Sequence, residues 1–251
     1  MIVIKSPREI DLMREAGRIA RLALDAAKAL VRPGISTQEI DVEVERVIRG
    51  QGAAPEFKGY HGYPASSCIS VNEEVVHGIP GGKRLKEGDI VGIDVGARYK
   101  GFVGDNAATV PVGKASPKAL QLVETTRECL EAAVRECVVG RRLSDIGRAV
   151  QTLAEARGYS LVRDYAGHGI GTRMHEDPQV PNYVDAATLK RDLVLKEGLC
   201  IAIEPMLNIG GPEVKTLEDG WTVVTEDGSL SAHWEDSVAV TKDGPVVLTR
   251  A

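Results

Sequence analysis

The sequence lacks a long apolar run: no stretch of its 251 residues approaches the roughly 18 uninterrupted apolar residues of a membrane span. It opens with Met-Ile-Val-Ile-Lys-Ser-Pro, which has neither the basic flank nor the apolar segment and cleavage site of a secretory signal. Apolar residues at 43% and charged residues at 27% are typical of a soluble globular protein with a sizeable core. We therefore expect a cytoplasmic protein that has no membrane partner.

Closely spaced cysteines are also lacking. The four cysteines are scattered without a C-x-x-C pair, which argues against a zinc ribbon and against a disulfide framework. A free cysteine packs as a small hydrophobic side chain, so we expect buried thiols at all four positions. These are Cys68, Cys129, Cys137 and Cys200.

The chain has no excess of positive charge. Its net charge is −5 and its isoelectric point is near 5.6. Binding to phosphate backbones requires clustered Lys and Arg, so this balance argues against a dedicated nucleic-acid binder. We expect no DNA partner, and local basic patches remain compatible with the composition.

A four-residue tag is present twice. Leu-Lys-Glu-Gly occurs at 85–88 and, 110 positions later, at 195–198, and each copy precedes a short apolar run that ends in a carboxylate, Asp94 or Glu204. The same offset relates Ser6-Pro7 to Ser116-Pro117. We interpret the pattern as one ancestral unit written twice, with halves of approximately 1–112 and 113–251 inside a single domain of residues 1–251. Two acids at matching strand ends then suggest a site between the halves.

Each half is predicted to contain two helices followed by strands. Ser6-Pro7-Arg8-Glu9 forms a capping box, and its apolar stripe ends at Arg32-Pro33-Gly34. The corresponding N-caps of the other three helices are predicted at Ser36, Ser116 and Ser144. Short β-branched runs follow each helix pair, at 68–71, 75–76, 161–162 and 238–240. The order predicts an α+β fold with pseudo-two-fold symmetry.

Asp94 and Asp105 are candidate metal ligands. The run before Asp94 is apolar on both strand faces, where an ionised carboxylate is costly unless it is paired or bound to a metal. If a turn centres on Tyr99 and Lys100, Asp94 faces Asp105 across a hairpin, and two bare like charges at that spacing destabilise it. A cation bound between the two carboxylates would make this arrangement stabilising. The alternatives are a structural role for Asp94 and a surface turn at Asp105.

Two histidines and a further acid complete the candidates. His168 lies in Gly-His-Gly-Ile-Gly, where glycines permit close backbone approach, and His175 follows seven residues later. The helical H-E-x-x-H motif of zinc peptidases is absent. Each histidine alone is compatible with a structural hydrogen bond, and Glu235 in His-Trp-Glu-Asp with a charged strand edge.

Taken in order, these residues resemble the bacterial type I methionine aminopeptidases of the pita-bread, or creatinase/aminopeptidase, fold. The resemblance covers essentially the whole chain, and seven motifs carry it: Gly-Tyr-His-Gly-Tyr-Pro at 59–64, Ser-Val-Asn-Glu-Glu-Val-Val-His-Gly-Ile-Pro at 70–80, Asp94 with Asp105, Gly-His-Gly-Ile-Gly at 167–171, His-Glu-Asp-Pro at 175–178, Ile-Glu-Pro-Met at 203–206, and Asp-Gly-Trp-Thr-Val at 219–223. It implies a single catalytic domain with helices packed on a curved, antiparallel-rich sheet.

The resemblance implies two divalent metal ions per chain. Their ligands would be Asp94, Asp105, His168, Glu204 and Glu235. One imidazole among four carboxylates is an oxygen-rich set that favours Mn²⁺, Fe²⁺ or Co²⁺, with Zn²⁺ as a further candidate. Such a pair activates water, polarises the scissile carbonyl and holds a free α-amine, so the expected enzyme is an exopeptidase.

The resemblance also implies roles around the metals. His175 would stabilise the tetrahedral oxyanion, His77 would hydrogen-bond the substrate backbone, and Glu204 would move a proton from the attacking water to the leaving amine. The methionine pocket would be lined by Tyr60, Tyr63, Cys68, Met174 and Trp221, with position 57 nearby, and such walls suit a thioether. Tyr60 and Tyr63 are equally compatible with an ordinary core.

Two positions depart from the family pattern. Position 174, where many relatives carry Phe, is Met, which puts the shape of the pocket in question. After Glu235 the family commonly has His-Thr, whereas this chain has Asp236-Ser237. We expect Asp236 to add a carboxylate beside the site, with an effect on metal preference or pH optimum.

The expected activity is removal of the initiator methionine from nascent proteins, with preference for a small second residue. The resemblance makes transient ribosome association and a monomeric state expectations as well. A proline-directed peptidase of this fold would carry a further domain before the catalytic unit, and a type II aminopeptidase would carry a helical insertion between His168 and Glu204. A non-catalytic binding protein of this fold would have lost ligands, whereas all five positions are intact.

Overall fold

The computed structural model describes residues 2–250. Helix α1 spans Pro7–Leu30 and helix α2 spans Thr37–Gly50. Both begin with the predicted capping box: the Ser6 hydroxyl accepts from the Glu9 amide at 3.4 Å, and the Glu9 carboxylate accepts from the Ser6 amide at 2.7 Å. The Ser36 amide donates in the same way to the Glu39 carboxylate at 2.9 Å. These local signals therefore fix where the first two helices start.

The second helix pair is α3, Pro117–Arg135, and α4, Leu143–Ala156. Ser116 caps α3 as predicted. The predicted cap at Ser144 is wrong, because α4 begins at Leu143 and its N-cap residue is Arg142. The amide and hydroxyl of Ser144 both donate to Asp192 at 2.9 Å, so a distant carboxylate takes the groups that a cap would have used. A short helix, α5, follows at Ala186–Leu189.

Fifteen strands are described within residues 2–250. They are β1 Ala54–Pro55, β2 Cys68–Val71, β3 Glu74–Val76, β4 Ile90–Tyr99, β5 Phe102–Pro111, β6 Ser160–Leu161, β7 Gly167–Gly169, β8 Glu176–Val180, β9 Cys200–Ile203, β10 Met206–Asn208, β11 Val214–Thr216, β12 Val223–Thr225, β13 Ser231–His233, β14 Glu235–Thr241 and β15 Gly244–Val247. The largest sheet has the antiparallel order β1-β4-β5-β14-β9-β7-β8, with β2 on β4 and β15 on β14. The pairing of β5 with β14 joins the first half of the chain to the second.

The helices pack on this sheet as two clusters. In the first, Leu24 of α1, Ile40 of α2 and Ile93 of β4 are fully buried. In the second, α3 and α4 pack on β9 and β14. Trp234 contacts both clusters, so it lies where the halves meet. Full burial of each such aliphatic side chain contributes about 1.5 to 3 kcal/mol, which makes the helix–sheet contact the main source of stability.

The hairpin β4–β5 has a different register from the predicted one. Asp94 pairs with Ala107, and Asp105 pairs with Gly96. The turn lies one residue later than expected, at Lys100 and Gly101, which both take positive φ. Because side chains alternate with a period of two, this shift leaves Asp94 and Asp105 on one face. Asp94 also lies inside β4 rather than at its end, whereas Glu204 does directly follow β9.

Two other expectations are settled by the fold. All four cysteines are buried free thiols, as predicted. No helix among residues 2–250 is long and apolar enough to span a membrane.

Candidate metal centre and substrate cavity

Five strands and their ends bring the predicted metal ligands together. Asp94 comes from β4, Asp105 from β5, His168 from β7, Glu204 from the end of β9 and Glu235 from the start of β14. We call these five residues the metal centre. Ligand atoms of Asp105, His168 and Glu235 all lie within 4.8 Å of one another, and all three side chains are buried. The first half of the chain supplies two members and the second half three.

The imidazole of His168 is oriented as a metal ligand. Its Nδ1 lies 2.9 Å from the carbonyl oxygen of Gly169, so Nδ1 carries the proton and Nε2 keeps its lone pair. Burial, together with the nearby His175, lowers the pKa of His168 to about 4, so the ring is neutral. Nε2 faces the carboxylates of Asp105 at 3.8 Å and Glu204 at 3.6 Å, which is longer than a hydrogen bond.

The carboxylates are placed where they need a cation. Burial raises the pKa of Asp94, Asp105, Glu204 and Glu235 well above the ordinary values, and each is raised further by a neighbouring carboxylate. Oδ1 of Asp94, Oδ1 of Asp105 and Oε1 of Glu235 are buried without a hydrogen-bond partner in residues 2–250. Oxygen atoms in this state fit coordination of hard divalent ions, because a bound cation satisfies them and offsets their mutual repulsion.

One cavity of about 320 Å³ contains the metal centre and every other predicted site residue. These are His77, His175, Tyr60, Tyr63, Cys68, Met174 and Trp221, and Phe57 also lines the wall. We call it the substrate cavity. Its apolar part is rigid, since the Tyr63 hydroxyl donates to the carbonyl oxygens of Ser67 and Gly78 at 3.0 Å and the Tyr63 ring meets Trp221 edge-on at 5.1 Å.

Two histidines of the substrate cavity, His175 and His77, are neutral. Burial lowers the pKa of His175, and burial with His175 nearby lowers the pKa of His77 to about 4. Nδ1 of His175 lies 2.6 Å from the Tyr60 hydroxyl. Donation from this hydroxyl to Nδ1 would leave the proton of His175 on Nε2.

Some residues near the centre were not predicted. His233 is buried, and its Nε2 lies 4.0 Å from Glu204 and 3.9 Å from Glu235. Burial lowers its pKa to about 3. The sequence could have indicated His233, because residues 233 and 235 share a face of an extended segment and Glu235 was already a predicted ligand. His61, Tyr165 and Ala166 also line the substrate cavity. His61 belongs to the motif Gly-Tyr-His-Gly-Tyr-Pro, whereas no motif in the sequence marks Tyr165 or Ala166.

The departure at Asp236 does not lie where we expected it. Asp236 follows Glu235 on β14, and successive side chains of a strand point to opposite faces. Its carboxylate accepts from the Thr249 hydroxyl at 2.7 Å and from Arg250 Nε at 2.9 Å. It therefore anchors the end of the chain on the helix side of the sheet, and adds no ligand to the metal centre.

The fold and the metal centre define a metal-dependent hydrolase, and comparison with known proteins identifies its family. Residues 11–242 match the family model described as metallopeptidase family M24. The chain therefore belongs to metallopeptidase family M24.

The relatives within that family are more specific. Methionine aminopeptidase 1 of Bacillus subtilis is 51% identical over 250 residues, covering 100% of both chains. The crystal structure of methionine aminopeptidase from Thermotoga maritima superposes with a TM-score of 0.96 at 44% identity, again covering 100% of both. Both the predicted pita-bread fold and the predicted resemblance to methionine aminopeptidases are confirmed.

A prolidase provides the contrast. The prolidase from Pyrococcus furiosus has a TM-score of 0.79 at 27% identity, and the match covers 99% of this chain but 66% of the prolidase. The shared part is the catalytic fold, and the remaining third of the prolidase has no counterpart in the match.

Proposed function

We propose that this metallopeptidase is a methionine aminopeptidase that removes the initiator methionine from nascent proteins and prefers a small second residue. One observation carries the proposal: a single cavity contains both a buried carboxylate cluster and an apolar wall, which is formed by Tyr63, Cys68, Met174 and Trp221. The identity to named methionine aminopeptidases over the full chain supports it.

The proposed cofactors are two divalent ions, Mn²⁺, Fe²⁺ or Co²⁺, with Zn²⁺ as a further candidate. Asp94, Asp105, His168, Glu204 and Glu235 would hold them, since their unpartnered oxygens and the free Nε2 of His168 converge. Ions in this position supply Lewis acidity toward water and the scissile carbonyl, and an anchor for the free α-amine. The requirement for a free amine would restrict cleavage to the first residue.

Glu204 is the proposed proton carrier. It lies at the end of β9, its side chain is 14% exposed, and the carboxylate lines the substrate cavity. Burial and the nearby Asp105 raise its pKa, which brings it toward the range in which a carboxyl group both takes and gives a proton. We assign to it proton transfer from the attacking water to the leaving amine.

His175 and His77 are the proposed hydrogen-bond donors to substrate. Because Tyr60 donates to Nδ1 of His175, Nε2–H is free to donate to the oxygen on which negative charge develops. His77 lines the same cavity, and its ring lies 5.6 Å edge-on from that of Tyr165. That position suits a contact with the substrate backbone.

The methionine pocket is proposed from shape and chemistry. Met174 and Cys68 are buried in one apolar cluster with Tyr63, and Trp221 packs against that cluster. A substrate thioether is polarisable and packs well against aromatic edges, whereas a charged side chain would be left unpaired there. Met174 in place of Phe makes this wall more adaptable.

We further propose that residues 1–251 act as one catalytic domain and as a monomer, in the cytoplasm, with transient access to nascent chains at the ribosome. The contact of the halves through β5 and β14 supports one domain, since the metal centre uses both. Sedimentation of the protein alone measures its oligomeric state, and sedimentation with ribosomes measures the association.

Release of methionine from Met-Ala-Ser tests the proposal. We expect turnover with Mn²⁺ or Co²⁺ that chelation abolishes and added metal restores, and little release of the first residue from Leu-Ala-Ser or from N-acetylated Met-Ala-Ser. Absence of turnover with Mn²⁺, Co²⁺, Fe²⁺ and Zn²⁺ would exclude the activity. Equal cleavage of the acetylated peptide would exclude the role of the free amine.

A further inference from the structure

A second cavity, of about 290 Å³, lies on the helix side of the sheet directly behind the metal centre. We call it the rear cavity. Its floor includes Asn106 of β5 and Asp236 of β14, which are paired across the two strands. Each follows a metal-centre residue, Asp105 or Glu235, and therefore points to the opposite face. Its walls come from α1 and α3, one helix from each half of the chain.

The floor of the rear cavity presents unpartnered polar atoms. Asn106 is 1% exposed, and neither its Nδ2 nor its Oδ1 has a hydrogen-bond partner in residues 2–250. The indole Nε1 of Trp234, which lines the same cavity, is buried and has none among those residues either. Buried polar groups are ordinarily hydrogen-bonded, and the two donors, Asn106 Nδ2 and Trp234 Nε1, outnumber the one acceptor, Asn106 Oδ1, so the cavity fits a ligand that mainly accepts hydrogen bonds.

The charged groups around the rear cavity favour an anion. Four cations line it: Arg21, Lys28, Arg127 and Arg250. Arg21 Nε and Lys28 Nζ share one exposed carboxylate, that of Asp25, at 2.8 and 3.1 Å. On the opposite wall Arg127 pairs with Glu124, a residue that is half exposed.

Two carboxylates in the lining, those of Asp236 and Glu131, are both engaged by Arg250. The carboxylate of Glu235, whose residue also lines the cavity, belongs to the metal centre. Arg127 also lies 3.8 Å from Glu131. The lining of the rear cavity thus has four cationic side chains and three acidic ones, an excess of one positive charge. The guanidinium and ammonium groups also offer charge-assisted hydrogen bonds.

We propose that the rear cavity binds a small tetrahedral oxyanion of the phosphate and sulfate class. Asn106 Nδ2 and Trp234 Nε1 donate from the floor, and Arg21, Lys28 and Arg127 donate from the helices. Its volume lies at the lower limit of the roughly 300 to 1,000 Å³ of ordinary ligand pockets, which suits a small anion better than a nucleotide. A bound anion would link α1 to α3 and so stabilise the junction of the halves.

Isothermal titration calorimetry with sodium sulfate, against sodium chloride of equal ionic strength, tests the proposal. The metal-loaded enzyme is compared with three variants. Arg21→Gln removes a cation from the wall, and Trp234→Phe removes the indole donor while keeping an aromatic ring. Arg46→Gln is the matched control, because Arg46 is an exposed arginine of α2 that pairs with Glu43 away from the rear cavity.

We expect sulfate to bind the wild type and Arg46→Gln equally, and Arg21→Gln and Trp234→Phe about tenfold or more weakly, as expected for loss of one hydrogen bond to a charged group. Circular dichroism checks that Trp234→Phe is folded. If it is not, Arg21→Gln still tests the proposal, because the Arg21 side chain is partly exposed and its replacement should not disturb folding. An anomalous difference map from a selenate-soaked crystal should place the anion beside Asn106. No binding to the wild type, equal weakening in Arg46→Gln, or selenate found only at the metal centre would each overturn the proposal.

Discussion

At the scale of single residues, the contact between Tyr60 and His175 makes the first prediction. The Tyr60 hydroxyl lies 2.6 Å from Nδ1 of His175, and in the proposed function it holds the proton of His175 on Nε2. In Tyr60→Phe the tautomer of His175 is no longer set. We therefore expect kcat to fall about tenfold with little change in KM, because one hydrogen bond that acts in the transition state is lost. Steady-state kinetics on Met-Ala-Ser measures both constants. Tyr99→Phe serves as the control, because Tyr99 is a partly buried tyrosine of the β4–β5 hairpin outside the substrate cavity. A rise in KM with unchanged kcat would mean that Tyr60 only lines the pocket.

Asp105 makes the second prediction. Its carboxylate is buried between those of Asp94 and Glu235, and its Oδ1 has no partner among residues 2–250. Asp105→Asn keeps the shape but removes the negative charge, so we expect at least one metal ion to be lost together with turnover, as measured by metal content after gel filtration. Asp11→Asn, on the exposed side of α1, is the matched control. Full metal occupancy in Asp105→Asn would show that Asp105 is not a ligand.

At the scale of elements, α1 and β5 approach so closely that glycine is required. A Cβ on Gly104 would lie 2.3 Å from the backbone nitrogen of Gly17, and backbone atoms cannot move aside cheaply. We expect Gly104→Ala to lower the free energy of unfolding by about 1 to 3 kcal/mol in urea denaturation, and to reduce activity because Asp105 is the next residue. Gly50→Ala, at the end of α2 where a Cβ meets nothing within 4 Å, should be neutral. Equal stability of the two variants would contradict the contact.

The elements also show what a sequence can predict. Helix starts at Ser6 and Ser36 depend on residues three positions apart, and both are confirmed. Ser144 was predicted wrongly because Asp192, 48 residues away, binds it. The hairpin register differed by two because the turn uses Lys100 and Gly101, and the choice between two adjacent turns is settled by backbone angles. Sequence motifs identified the predicted metal ligands. The positions of His233 beside the metal centre and of Asn106 in the rear cavity depend instead on which strands become neighbours.

At the scale of the whole molecule, the metal centre joins the two halves, and this gives the last prediction. In metal-free protein the four carboxylates have pKa values raised by burial, so the folded state binds protons more tightly than the unfolded state. Stability from such groups is present at low pH and is lost as pH rises toward the raised folded pKa. The histidines, with lowered pKa values, act in the opposite direction, but only below their unfolded value of about 6.5. Above about pH 6.5 the raised pKa values of the carboxylates therefore set the direction of the pH dependence.

We therefore expect the Tm of metal-free enzyme to fall from pH 7 to pH 8, and the rise in Tm on adding Mn²⁺ to be larger at pH 8. Bound metal at 100 times its Kd adds about 2.7 kcal/mol, which a thermal scan resolves. Differences between loaded and metal-free samples cancel the ionisation of thiols in the unfolded chain, which begins near pH 8.5. Asp94→Asn, which removes one of the crowded charges, should flatten the decline in the metal-free protein. A metal-free Tm that stays constant over this interval would mean that the carboxylates are already ionised at pH 7, and that their repulsion is relieved within the protein without a cation.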